Sequence, residues 1–145
     1  DTGRISLAAG AVGLMQRALD LSLAYAGERK QFGKPIAQFQ LVQEHLAAMK
    51  LDLEAARLLT YRAAWKKVKG EPYTLEASLA KLFASEAANR VAYRAIQVHG
   101  GYGFFEEYEV ARLYRDARIL TLYEGTSEVQ KLIIGAHLTG VRAFA

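Results

Sequence analysis

Apolar residues recur along this chain at helical spacing, over long runs with almost nothing to interrupt them, and this pattern restricts the fold more than any other feature. Ile5, Ala8, Val12, Met15, Leu19 and Leu23 mark one face of a first helix ending near Arg29. Leu41, His45, Met49, Leu53, Ala56, Thr60 and Ala63 mark a longer second helix ending near Gly70. Leu75, Leu79, Leu82, Glu86, Arg90 and Val98 fall near one stripe of a third. A short helix from Glu106 to about Arg118 and another after Ser127 complete the set. Between them lie only KQFGKPIAQ, KGEPY, HGGYGF and LYEGT. No stretch alternates with period two, so strands are not expected. Long amphipathic helices on short connections predict an all-α, antiparallel (up-and-down) four-helix bundle as one domain over residues 1–145. The small residues of AAGAVG and ASEAANRVA would let helices approach closely.

A chain of 145 residues that is 52% hydrophobic can bury one core and not two. It has no apolar run of membrane-spanning length and no signal-peptide pattern, so neither membrane insertion nor secretion is expected. The absence of cysteine removes disulfides, thiolate metal sites and cysteine nucleophiles. The net charge is +4, yet its basic clusters, KKVK at Lys66–Lys69 and the trio Arg112, Arg115 and Arg118, lack the interleaved aromatics of a nucleic-acid platform. Arg112 and Asp116 are instead spaced for an ion pair along a helix. A di-iron bundle would need Glu-x-x-His on two helices, but Val42, Ile96 and Ile134 precede His45, His99 and His137 by three, so no metal is expected. There is no nucleophile elbow and no phosphate loop of P-loop type. Beginning at Asp1, the chain reads as a piece of a longer protein.

Unusual chemistry is confined to the irregular segments. In LYEGTSE, Glu124 stands just ahead of a helix start, where Thr126 and Ser127 can both cap and Ser127 with Gln130 fits a capping box. The helix end favours an anion, while Leu122 and Tyr123 offer an apolar setting that would tighten a carboxylate's hold on its proton. RKQFGKPIAQFQ joins a cation, an aromatic and amides in one turn, and Arg29 there also suits the C-terminal dipole of the first helix. In QVHGGYGF the paired glycines end the third helix and allow close approach of a ligand to the backbone.

In order and spacing, DTGR, ERKQFGKPIAQFQ, QVHGGYGF, RLYRDARI and YEGTSEVQKLII together resemble the C-terminal domain of the acyl-CoA dehydrogenases, with most similarity to the short-chain (butyryl-type) branch. The resemblance covers essentially the whole chain. It implies an FAD-dependent homo-oligomer, dimer or tetramer, whose N-terminal helical and middle β domains are absent here. It also implies an acyl-CoA substrate and electron-transfer flavoprotein as the acceptor. The compartment would be the cytoplasm of a prokaryote or the mitochondrial matrix. An acyl-CoA oxidase, or a helical assembly module without chemistry, would carry the same motifs.

The resemblance makes Glu124 the base that takes the α-proton of the thioester. Some relatives carry that base on the first helix, directly before the arginine matching Arg4; here that position is Gly3. Asp1, Arg4 and Gly125 correspond to contacts with the acyl-CoA. Arg29, Gln40, Gln97, Val98, His99, Gly100, Gly101, Thr126, Ser127 and Glu128 correspond to FAD contacts, some of them to the FAD of a neighbouring subunit. Two departures stand out: Glu109 replaces a usual proline, and Gly135–Ala136 replace a frequent alanine–arginine pair, removing a cation.

Overall fold

The computed structural model describes residues 1–143. Helices α1 (Thr2–Glu28), α2 (Gln40–Val68) and α3 (Thr74–His99) are long, while α4 (Glu109–Ile119) and α5 (Ser127–Thr139) are short. Side-chain contacts set their directions. Thr74 Oγ1 donates to Asp1 Oδ2 at 2.6 Å, and Tyr25 stacks on His99 at 4.3 Å, so α1 and α3 run parallel. Ion pairs Arg94–Glu44, Arg90–Asp52 and Lys66–Glu76 lay α2 antiparallel along α3. Down another side of α3 run α4 and then α5, tied by Asn89 to the Ala117 carbonyl and by Ser127 to Glu86. The fourth rod of the bundle is therefore two helices end to end, and the break between them carries Glu124.

Helix α3 is the axis, and its composition follows from that position. Ala77, Ala80, Ala84, Ala87, Ala88, Ala92 and Ala95 are fully buried, whereas Leu75, Leu79 and Leu82 of the expected stripe are only partly covered and Arg90 is exposed. A helix enclosed on most sides has little room between axes, so small residues take the interior and leucines the seams. On α2 the expected face holds at Met49, Leu53, Ala56, Thr60 and Ala63, while Leu41 is exposed. Two of the three alanines of AAGAVG, Ala8 and Ala11, are buried, and Ala9 is exposed. The glycines of this stretch are not buried: space beyond Gly10 and Gly13 is open, so they do not serve close helix approach in this domain.

Three local details differ from the sequence expectation. A minimal antiparallel pair, β1 (Lys30–Gln31) with β2 (Lys34–Pro35), interrupts the helices. Phe32 and Gly33 both take positive φ, as a type I′ hairpin turn demands, and two-residue strands are too short to show alternation. Of the two cap candidates Thr126 caps α5, accepting from Val129 N–H at 3.3 Å, and the Ser127–Gln130 capping box does not form, because the Ser127 hydroxyl donates to Glu86. Arg112 pairs with Glu109 at 3.2 Å rather than with Asp116, so Glu109 at the first turn of α4 is shared by Arg112 and Arg17. That Arg17–Glu109 contact uses two nitrogens on two oxygens and joins α1 to α4, giving the carboxylate at this usual proline position a packing role.

Candidate active site

The break between α4 and α5 is short, tightly braced and strained. Ser127 N–H donates to the Thr121 carbonyl at 3.1 Å, and Arg118 Nη1 holds the Thr121 hydroxyl at 2.7 Å. Within this loop Glu124 has φ +57° and Gly125 φ +86°. A left-handed conformation is ordinary for glycine but unfavourable for glutamate, and it persists only where surroundings impose it. The surroundings here are two buried side chains. Lys81, fully buried in the middle of α3, donates from Nζ to the Gly125 carbonyl at 2.7 Å. Gln130, fully buried on α5, donates from Nε2 to the carbonyls of Glu124 at 3.3 Å and Gly125 at 3.2 Å. A Cβ at residue 125 would stand 2.5 Å from that amide nitrogen, so only glycine fits.

The Glu124 side chain reaches across to the start of α1. A Cβ placed on Gly3 would lie 2.5 Å from Glu124 Oε2, so the carboxylate occupies the space a side chain at residue 3 would need. Asp1 and Arg4 flank it as an ion pair, and Asp1 also accepts from Thr74. Among the described residues the N–H groups of Glu124 and Gly125 make no hydrogen bond, leaving two donors beside the carboxylate. Glu124, Leu122 and Tyr123 are exposed, so this domain supplies one wall of a site and not the enclosure a strongly basic carboxylate needs. Burial pushes the Lys81 ammonium below the usual lysine range. The Glu86 carboxylate opposes that shift, Arg4 adds to it, and Glu124 and Glu128 oppose it more weakly. The Glu128 carboxyl is held low by its own backbone N–H and by Thr126.

A second cluster lies at the other end of α1, about 39 Å away by the rise of the helix. An open cleft of about 470 Å³ is lined by Arg29, Val98, His99, Gly100 and Gly101 together with Tyr25, Ile36, Tyr102 and Phe105. Arg29 lies over the Tyr102 ring at 5.5 Å. His99 Nδ1 bonds the Ala95 carbonyl at 2.8 Å, which can only accept, so that nitrogen carries the proton; burial lowers the imidazole's proton affinity and keeps it neutral. Gly100 has φ +63° with open space where a Cβ would be. An apolar floor, one guanidinium and bare backbone suit a ligand with an aromatic part and an anionic part. Among the described residues no group of acidic or histidine side chains could hold a metal ion.

Residues 1–139 match the family described as acyl-CoA dehydrogenase, C-terminal domain. The chain belongs to the acyl-CoA dehydrogenases. It is 51% identical over 138 residues to the mitochondrial short-chain specific acyl-CoA dehydrogenase of Bos taurus, covering 95% of this chain and 34% of that protein. It is 51% identical over 136 residues to the 3-(aryl)acrylate reductase of Clostridium sporogenes, covering 94% and 36%. The butyryl-CoA dehydrogenase structure from Megasphaera elsdenii superposes with a TM-score of 0.93 at 50% identity, covering 94% of this chain and 36% of that one. The chain thus spans about a third of the relatives it matches.

Within this acyl-CoA dehydrogenase domain, most of the residues singled out from sequence fall into the two clusters, and Gln40 and Gln97 do not. Asp1, Arg4, Glu124, Gly125 and Thr126 gather at the start of α1, with Glu128 exposed on the first turn of α5. Ser127 is there too, but its hydroxyl is buried and donates to Glu86 at 2.6 Å. Arg29, Val98, His99, Gly100 and Gly101 share the distant cleft, whereas Gln40 and Gln97 are exposed nearby and do not line it. Sequence reading passed over Lys81, Tyr25, Tyr102 and Phe105, and saw Gln130 only as a helix cap. The one signal for Lys81 is a lysine enclosed by the small and apolar residues of SLAKLFAS.

Proposed function

We propose that this domain serves a flavoenzyme that removes hydrogen from the α and β carbons of a short- or medium-chain acyl-CoA, giving the trans-2-enoyl-CoA, with Glu124 as the base. The observation that carries the reading is the Glu124 carboxylate lying over Gly3, so that loop and helix positions able to bear the base converge on one point. The free N–H groups beside it can bond a thioester carbonyl, which acidifies the α C–H that Glu124 must deprotonate. Asp1 and Arg4 border the same space and suit polar parts of the substrate. The acyl chain and the rest of the enzyme would exclude water from around the carboxylate. FAD, when bound, supplies the acceptor for the β-hydride. Arg29, the glycine backbone and the aromatic floor of the distant cleft fit part of that cofactor, held for a neighbouring subunit in a homo-oligomer. Electron-transfer flavoprotein would then accept the electrons, in a bacterial cytoplasm or a mitochondrial matrix.

The test is Glu124→Gln in the FAD-loaded enzyme that contains this domain. It keeps size and most hydrogen bonding but removes the proton acceptor, so acyl-CoA should bind while anaerobic flavin bleaching slows by a factor of about 10² to 10⁴. Bleaching at the wild-type rate would return Glu124 to the status of a loop carboxylate. The similarity to a reductase favours a second reading, in which protonated Glu124 would give its proton to the α carbon of an enoyl-CoA while FAD, bound in its reduced form, would supply the hydride for the β carbon. Comparing enoyl-CoA reduction with acyl-CoA oxidation at matched concentrations separates the two directions.

A further inference from the structure

We propose that Lys81 is a positioning residue for Glu124, acting with Gln130 through the carbonyl of Gly125. The inference deepens the reading of Glu124 as the base and rests on it. Lys81 is the bulkiest of the fully buried side chains, and nothing about the core requires a cation there. A desolvated ammonium is costly, and among the described residues this one forms no ion pair within the core: its one hydrogen bond goes to a loop carbonyl. Stability alone therefore gives no reason for the lysine.

Its geometry points elsewhere. The Lys81 bond to Gly125 ends on the residue that follows Glu124, in a loop where two successive residues hold positive φ. Gln130 grips the same carbonyl from the opposite helix and also holds that of Glu124, while its own Oε1 stays buried and unpaired. Two donors from α3 and α5 thus converge on one peptide. They oppose relaxation of Glu124 to an ordinary right-handed conformation, which would re-aim its carboxylate away from Gly3. The groups facing the ammonium are Glu86 on α3, Glu124 and Glu128 on the loop and α5, and Arg4 on α1. The clamp is a charge-assisted bond in a site closed to water, stronger than a neutral one.

The test uses the FAD-loaded enzyme containing this domain, with Lys81→Met, which keeps the length and apolar stem and deletes the charge and donor. The expected result is an unchanged or higher Tm, unchanged FAD content and acyl-CoA affinity, and flavin reduction slowed about ten- to a hundredfold, because displacement of a reacting group by about 1 Å has that effect. Hydrogen exchange at residues 121–126 should quicken while α3 stays protected. Wild-type flavin reduction in folded Lys81→Met overturns the proposal. So does a loss of rate matched by loss of FAD and of Tm, which would make Lys81 an ordinary core residue. Should no Lys81→Met holoenzyme form, Gln130→Met decides: slowed reduction with FAD retained supports the clamp, and a wild-type rate overturns it. Glu124→Gln is run in parallel. If it also reduces flavin normally, the base assignment itself has failed; if it stalls while Lys81→Met does not, only the clamp has.

Discussion

Gly3 and Glu124 are far apart in sequence and share one small volume, so each limits what the other can be. A methyl group on residue 3 would meet the flexible end of the glutamate, which can move aside. Gly3→Ala should therefore leave Tm unchanged or slightly raised, since alanine suits a helix better than glycine. The displaced carboxylate should slow anaerobic flavin reduction by about tenfold or more in the full enzyme. Stopped-flow bleaching beside a thermal melt reads both quantities. That Glu124 stands in a loop just ahead of α5 was legible from the capping residues that follow it, and a solvated loop carboxylate is what the local residues alone suggest. That its side chain meets Gly3 of α1 was not legible, because that contact joins distant parts of the chain. Lys81 was illegible for a different reason. Periodicity ranks residues by how well they suit burial, and a lysine doing its work through a distant peptide carbonyl leaves no repeat.

Among elements, α3 shows most clearly what periodicity can and cannot convey. The helix itself was evident, as were its glycine end and its partners on short connections. Which residues fill its interior was not, since a leucine stripe presumes one neighbour and α3 is flanked by α1, α2, α4 and α5. Alanine is the right size for the tight interfaces and says little in a hydrophobic pattern. Ala88, fully buried in the main core, provides the test. Ala88→Leu should cost about 1–3 kcal/mol by overpacking, seen as a lower urea midpoint with an unchanged slope. The split fourth rod was visible as two short helices with LYEGT between them. That they lie end to end along α3, giving the loop a seat beside α1, needed the third dimension.

At the scale of the whole molecule, the chain is about a third of the proteins it matches, and its surface agrees with a part made to be covered. Leu51, Leu58, Tyr61, Trp65 and Val68 of α2 are exposed large apolar residues, more than a solitary domain ordinarily presents. No helix of the described residues is long and apolar enough to cross a membrane. The two candidate clusters sit at opposite ends of α1, about 39 Å apart by the rise of the helix, too far for one dinucleotide to touch both. If Glu124 serves its own subunit and Arg29 its neighbour's, the unit of inheritance and the unit of catalysis do not coincide. Two defective alleles, Glu124→Gln and Arg29→Lys, should then complement each other. In a mixed dimer one site combines both lesions, while the other draws an intact Glu124 from one chain and an intact Arg29 from its mate. Co-expression of differently tagged subunits, followed by double-affinity purification and loading with limiting FAD, should give hybrids with up to about half the wild-type flavin reduction per dimer, where each parent alone is impaired, Glu124→Gln in rate and Arg29→Lys in FAD retention. Hybrids no better than the parents would mean that each chain furnishes a complete site. A heterozygote for two such lesions would accordingly be fitter than either homozygote, an outcome written into the length of one helix.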